Sequence, residues 1–397
     1  MTNVTPLVDR SHLMRTYPDP PVTFVRGQGC RLMDTSGRWY LDFLSGLGVC
    51  SLGHAHPRVT QAVSNQASQL VHVSNLFGNL VAPEVAATLD RLITAGAAGV
   101  EGRIFFANSG AEANECAIKL ARRWGAPERH VVLSAYGSFH GRTLATLAAT
   151  GQPSKQEPFQ PLPQGFRHVA FDDLAALEAA MDPDVVAAVI LEPLQGEGGV
   201  VRASEGYLAA VRQLCDDRGI LMILDEVQSG LARTGEWFGF QHSRIIPDIV
   251  TMAKALGNGF PIGACWARDE VAQAFRQGDH ASTFGGQPLA TAAARETLAV
   301  MEEVKAPERA ASAGALLRDS LKGLPYVTLV RGEGLLLAMV LERDRAREVT
   351  AAALARGLVV NAVTPDAVRL APPLIVSDAE IAEAIDLLRD SIGEAFS

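Results

Sequence analysis

Lys254 is the only charged residue in TMAKALGNGFPIG, residues 251–263. An ammonium group inside an apolar run that then turns on Gly257, Gly259 and Pro261 is partly withdrawn from water. Desolvation disfavours the charged form, so the amine of such a lysine can act as a nucleophile and form a Schiff base. Upstream, GILMILDEV (219–227) ends an apolar run at Asp225 and Glu226. A second run, PDIVTMA (247–253), leads into Lys254. One crossover between neighbouring strands would bring Asp225 and Lys254 to the same sheet edge. Two readings stay open. The charges could neutralise each other directly, because an unpaired buried charge costs several kcal/mol. Alternatively, a ligand lies between them, with a cationic ring nitrogen toward Asp225 and an electrophilic carbon toward Lys254. Pyridoxal phosphate has both features.

Further candidates lie along the chain. FFANSGAEANECA holds a strand, a Ser109-Gly110 turn and a helix start, whose free N–H groups and dipole favour an anion. Ser109 with Glu112 also fits an ordinary capping box, which is the simpler reading of this stretch taken alone. HASTFGGQP (280–288) places the Ser282 and Thr283 hydroxyls beside two glycines, either as a second phosphate contact or as a polar turn. YGSFHGRT places Phe139, His140 and Arg142 in a loop. Phe139 could be core and Arg142 solvated; or the ring stacks on a planar cofactor and the guanidinium forks a carboxylate. LEPLQGEGGV (191–200) puts Glu192, Gln195 and Glu197 in another strand-end loop. Arg369, among apolar residues and prolines in AVRLAPPLIVS, calls for an anionic partner.

These residues need a scaffold. RIFFA (103–107), VAAVILEPL (186–194) and GILMILDEV are apolar at nearly every position, which predicts strands buried on both faces in a parallel sheet. The helical stretches 109–124 and 205–219 alternate with them, so the class is α/β, with ligands expected beyond the carboxyl ends of the strands. PLATAAARETLAVMEEV (288–304) reads as a long helix leaving the sheet domain. A smaller unit follows, with strands near 326–341 and 358–361. Its closing helix opens at a Ser377–Glu380 capping box. The first 50 or so residues read as strands and turns that pair with this unit. The expected division is 1–55, 56–290 and 291–397.

Composition bounds the function. The chain has 397 residues and a net charge of −9, which argues against nucleic acid as a partner. Its five cysteines are widely spaced without a CxxC, which speaks against a disulfide framework or a thiolate zinc site and fits a reducing cytosol. No apolar run approaches the ~18 residues of a membrane span. The N-terminal stretch has no basic head followed by an apolar core, so no signal peptide is expected.

The order of these stretches resembles the class III aminotransferases, in the ornithine/acetylornithine branch of the fold-type I pyridoxal phosphate enzymes. The resemblance is carried by LDFLSGLGVCSLGHAHP, NSGAEANECAIKLAR, GSFHGRT, LEPLQGEGG, ILDEVQSGLARTG, PDIVTMAKALGNGFPIGA, STFGGQPLA and VRLAPPL, from about residue 20 to the end. It implies a large domain with a mostly parallel central sheet covered by helices, and a smaller α+β domain built from both termini. It implies pyridoxal 5'-phosphate as cofactor, with Lys254 holding it and shuttling the proton and Asp225 keeping the ring nitrogen protonated. Gln228 would touch the ring hydroxyl, and Val227 would pack beneath the ring opposite Phe139. Ser109, Gly110 and Ala111 would hold the phosphate, joined by Thr283 of a neighbouring subunit, hence a homodimer with shared sites.

By the same resemblance, Arg369 grips the α-carboxylate of glutamate or 2-oxoglutarate, and Glu197 neutralises it when the amino donor is bound. Arg142 holds the donor's α-carboxylate, with Ser282 and Tyr17 also in the substrate site. FHGR and the apolar Leu47 are similar to the acetylornithine enzymes. The implied reaction is transfer of the 5-amino group of N-acetylornithine to 2-oxoglutarate by ping-pong kinetics, a cytoplasmic step of arginine biosynthesis. Ornithine, succinylornithine, acylated lysine and 4-aminobutyrate are the alternative donors. Three departures stand out: Cys50 where the branch often has asparagine, Ala111 in place of a common threonine, and the KALGNG turn.

Overall fold

The computed structural model describes residues 12–95 and 97–397. Its central sheet has seven strands, in the order Gly102–Ala107, Gly263–Arg268, Ile249–Met252, Leu221–Asp225, Val186–Leu191, Val131–Ala135 and Phe166–Val169. Neighbours are parallel except around Gly263–Arg268, which runs antiparallel to both of its partners. RIFFA is therefore not inside a parallel ladder as its composition suggests. It is the sheet edge, and its single partner is antiparallel. Its unbroken apolar run has another cause. Ile104 and Phe106 pack on one core cluster and Phe105 on the other, because helices cover both faces even at the edge. The same period of two splits Met222 and Leu224 from Leu221 and Ile223.

Asp225 aligns with Thr251 in parallel register, so the crossover delivers Asp225 and Lys254 to one sheet edge as expected. The helix Gly110–Gly125 starts at that edge and buries Ala117, Ile118 and Ala121 against the sheet. Ser109 caps it by accepting from the Glu112 N–H at 3.2 Å. Glu112 does not close the reciprocal capping box; its carboxylate reaches one residue further back, to the N–H of Asn108 at 2.9 Å.

The chain's start is hydrogen-bonded to its end. Trp39–Asp42 closes an antiparallel three-stranded unit and pairs in parallel with Leu358–Val359. A second antiparallel sheet follows the order Val327–Glu333, Leu336–Leu341, Ala367–Leu370, Asn361–Thr364, and places Arg369 on an interior strand. The last helix, Asp378–Phe396, opens on the Ser377–Glu380 capping box. Pro288–Glu303 does not leave the sheet domain. It stays packed on the helices Pro57–Ala67 and Val81–Ile93, burying Ala292, Ala293 and Ala294. Alanines let helices approach closely, which is how this helix stays packed on its neighbours. Among the described residues no helix is long and apolar enough to cross a membrane.

Candidate active site

A cavity of about 390 Å³ opens beyond the carboxyl ends of the strands Leu221–Asp225 and Ile249–Met252. Lys254, Asp225, Phe139, Arg142, Glu197 and Gln228 all face it, as does the start of the Gly110–Gly125 helix.

Lys254 enters from a fully buried strand and has a φ of +38°, a left-handed conformation that costs a side-chain-bearing residue free energy. Among the described residues its Nζ makes no hydrogen bond and no ion pair. Burial lowers its pKa from the ordinary lysine value; Glu197 opposes this and Arg369 adds to it. The first of the two readings, a direct Asp225–Lys254 pair, is therefore not what the fold builds.

Asp225 has other partners. Its Oδ2 accepts from Asn114 Nδ2 at 2.7 Å and lies 2.8 Å from His140 Nδ1, while Oδ1 accepts from the Val227 N–H at 3.0 Å. An ionised carboxylate only accepts, so His140 Nδ1 carries the proton. Asn114 is itself fixed, accepting from Thr251 Oγ1 at 2.6 Å and donating to the His140 carbonyl at 2.8 Å. His140 Nε2 is 3.2 Å from Ser134 Oγ. Asp225 is 4 % exposed, so this network holds a buried anion in one orientation.

Two glycines permit close approach. A Cβ on Gly110 would stand 2.8 Å from Val227 Cγ1, and one on Gly196 would stand 1.4 Å from Gln228 Oε1. Val227 thus lies against the helix start, and Gln228 lies against bare backbone. The first-turn N–H groups at Gly110 and Ala111 have no partner within the helix, and Ser109 Oγ takes only that of Glu112. Phe139 is positioned by its N–H, which donates to Glu192 Oε2 at 3.0 Å. Burial pushes the Glu192 pKa up to about 7 against the pull of His140.

Arg369 is 1 % exposed. Its Nη1 donates to Glu197 Oε1 at 2.6 Å, and to the Gly196 carbonyl and Gln228 Oε1 at 3.3 Å each. Its Nε donates to Asn361 Oδ1 at 3.1 Å. Burial would raise the Glu197 pKa, but Arg369 outweighs it and holds the carboxyl below its usual value. The anionic partner expected for Arg369 is therefore Glu197.

Three expected residues are not at the cavity within one chain. Tyr17 is 76 % exposed and Thr283 is exposed. Ser282 Oγ accepts from Asn108 Nδ2 at 3.3 Å and from the Gly285 N–H at 3.0 Å, so it shapes its own turn beside a cavity residue. Leu47 does not line the cavity either; Val49 does. Sequence reasoning missed Asn114, Asn361 and Lys155, and gave His140 and Glu192 no role. Asn114 had a signal: it shares the apolar helix face of Ala117, Ile118 and Ala121.

A mostly parallel sheet, a cavity at its carboxyl edge, and a buried lysine opposite a fixed aspartate define a fold-type I transferase. The aminotransferase class-III family matches residues 13–392, and the chain belongs to it. It is 47% identical over 386 residues to an acetylornithine aminotransferase of Corynebacterium efficiens, covering 96% of this chain and 95% of that one. Among solved structures, an ornithine aminotransferase from Toxoplasma gondii superposes with a TM-score of 0.92 at 35% identity, covering 98% of this chain and 94% of that one. An N-acetylornithine aminotransferase from Stenotrophomonas maltophilia does so with a TM-score of 0.82 at 37% identity, covering 96% and 97%.

Proposed function

We propose that the protein transfers the 5-amino group of N-acetylornithine to 2-oxoglutarate, with pyridoxal phosphate as its cofactor. The observation that carries this is the Arg369–Glu197 pair in the same cavity as Lys254. A buried guanidinium with its own displaceable carboxylate lets one site take two unlike substrates in turn. With the donor in place the pair stays closed and the guanidinium is neutralised. With 2-oxoglutarate in place Glu197 yields, and Arg369 takes the α-carboxylate. Arg142 would hold the donor's α-carboxylate, with Ser282 and Tyr17 near it.

The residues present fit the cofactor. Lys254 and Asp225 face one cavity without touching, Phe139 and Val227 offer apolar faces, and Ser109, Gly110 and Ala111 offer a helix start for a phosphate. Lys254 would hold the aldehyde carbon, Asp225 the ring nitrogen and Gln228 the ring hydroxyl. When bound, the group supplies an electron sink and carries the amino group between the two half-reactions. Lys254, its pKa lowered by burial, would move the proton off the donor's amino-bearing carbon and onto the acceptor's. Asp225, locked by Asn114 and His140, would keep a proton on the ring nitrogen.

Several features support the finer points. Acetylation removes the charge of the donor's α-amine, so an apolar wall such as Val49 is tolerated there. The segment 75–80 is tied to the 282–286 turn by Asn75 and Asn79. Leu76, Phe77, Leu80 and Phe284 stand exposed there, beside Thr283. A second copy covering that surface would carry Thr283 toward the neighbouring phosphate site, giving a homodimer. We assign the reaction to arginine biosynthesis in the cytoplasm, and the unit formed by 1–55 with 291–397 to a small domain beside 56–290.

The test supplies purified protein with 2-oxoglutarate and each donor separately. N-acetylornithine is expected to give the highest kcat/KM. A higher value for ornithine, succinylornithine, acylated lysine or 4-aminobutyrate overturns the donor assignment.

A further inference from the structure

Two cations stand together at the cavity edge with no anion between them. Arg142 Cζ lies 5.4 Å, and Lys155 Nζ 5.5 Å, from the centre of the Phe139 ring. Among the described residues neither forms an ion pair, and Lys155 donates only to the neutral Gln152 side-chain oxygen. Lys155 is half-buried, and its pKa is lowered chiefly by burial, then by the charge of Arg142, with Glu197 opposing. Bringing like charges together costs free energy, only part of which the face of one aromatic ring returns. Such an arrangement is stable when it collects an anion.

Arg369 makes the contrast, because it already has Glu197. Arg142 and Lys155 have no such partner among the described residues, and Arg142 lines the cavity while Lys155 stands beside it on a flexible four-carbon stem.

We propose that Lys155 joins Arg142 in one carboxylate-binding subsite, which reads the carboxylate far from the transferred amine on the donor and far from the keto carbon on the acceptor. Lys155 is then a specificity-determining residue. It selects ω-amines that end in a carboxylate over those that do not. The identity of the donor rests on the amino-transfer reading above; the subsite itself rests on the two unpaired cations.

Two measurements on the holoenzyme test it. Glutarate, an unreactive dicarboxylate, is titrated calorimetrically into wild type, Lys155→Met and Lys155→Arg. The methionine variant is expected to bind about tenfold more weakly, as for one lost charged hydrogen bond, and the arginine variant within about threefold of wild type. In parallel, the kcat/KM ratio of N-acetylornithine over its decarboxylated counterpart N-acetylputrescine should fall about tenfold in Lys155→Met. A purely structural role would lower both donors together and leave the ratio unmoved. Unchanged glutarate affinity, or an unchanged ratio, overturns the proposal. If wild type fails to use N-acetylornithine at all, the donor assignment fails and the glutarate titration still decides the role of Lys155.

Discussion

Asp225 and Lys254 face one cavity from neighbouring strands, yet the fold holds them in opposite ways. Asp225 is tied by Asn114, His140 and the Val227 N–H, and each of its two side-chain partners is bonded in turn. Among the described residues Lys254 has no hydrogen bond on Nζ, and it sits on a strained backbone. A carboxylate locked by a network cannot follow a moving proton; it can only fix the electrostatics of whatever lies against it. A long side chain with an unbonded end and a pKa lowered by burial is the group that can move. Two guanidinium groups of the cavity divide in the same way. Arg369 is bonded to Glu197, whereas among the described residues Arg142 has no ion-pair partner.

The sharpest way to break the contrast is at the mobile group. Lys254→Ala should reduce turnover by about 10,000-fold or more, since it removes both the attachment and the proton carrier. The cofactor should still bind, but borohydride should no longer fix it to the chain. Turnover close to wild type would refute the role given to Lys254. Asp225→Asn, which keeps the shape and loses the charge, should lower kcat by about 100- to 1,000-fold, the scale of a lost preorganised electrostatic contact. A loss appearing only in cofactor affinity would mean that Asp225 anchors rather than tunes.

The gate is next. Arg369→Ala should raise KM for 2-oxoglutarate by about 100-fold while changing the donor half-reaction far less, read by single-turnover kinetics of each half. Equal losses in both halves would dismiss the gating role. Asn114→Ala loosens the lock without touching any reacting group. It should cost about tenfold in kcat, the effect of one charged hydrogen bond lost from a positioning residue. An unchanged kcat would show that the lock on Asp225 plays no part in turnover.

The division between what the sequence revealed and what it hid follows the same physics. Lys254, Asp225 and Arg369 are charges in apolar runs, so each demanded a partner before any partner was visible. Asn114 was as readable, a polar residue on a helix face otherwise made of Ala117, Ile118 and Ala121. Asn361 and Lys155 were not, because Asn361 is uncharged in a short strand, Lys155 lies in a polar turn-rich stretch, and only tertiary packing brings them to Arg369 and Phe139. Strand direction was also hidden. Gly263–Arg268 runs antiparallel, and nothing in an apolar six-residue run records which way its neighbours point.

The smallest expected effect concerns the gate as a structural pair. The Glu197 carboxyl is held below its ordinary value, chiefly by Arg369 against the cost of burial. A carboxylate depressed on folding contributes stability that is fully present above its unfolded pKa and is lost as pH falls through the folded value. The pair should therefore support the fold at pH 7 and cease to do so in the acid range below the usual carboxylate value. Glu197 is about one-third exposed, so solvent screening keeps the effect small, about 1 kcal/mol. Glu197→Gln still offers an oxygen to Arg369, so the buried guanidinium keeps one acceptor. The variant should unfold slightly more easily than wild type at pH 7 and converge with it at acid pH, as thermal melts at both values would show. A constant offset at both would assign the stabilisation to packing rather than to the charge, and Glu197 would then be free to swing away from Arg369 at little electrostatic cost.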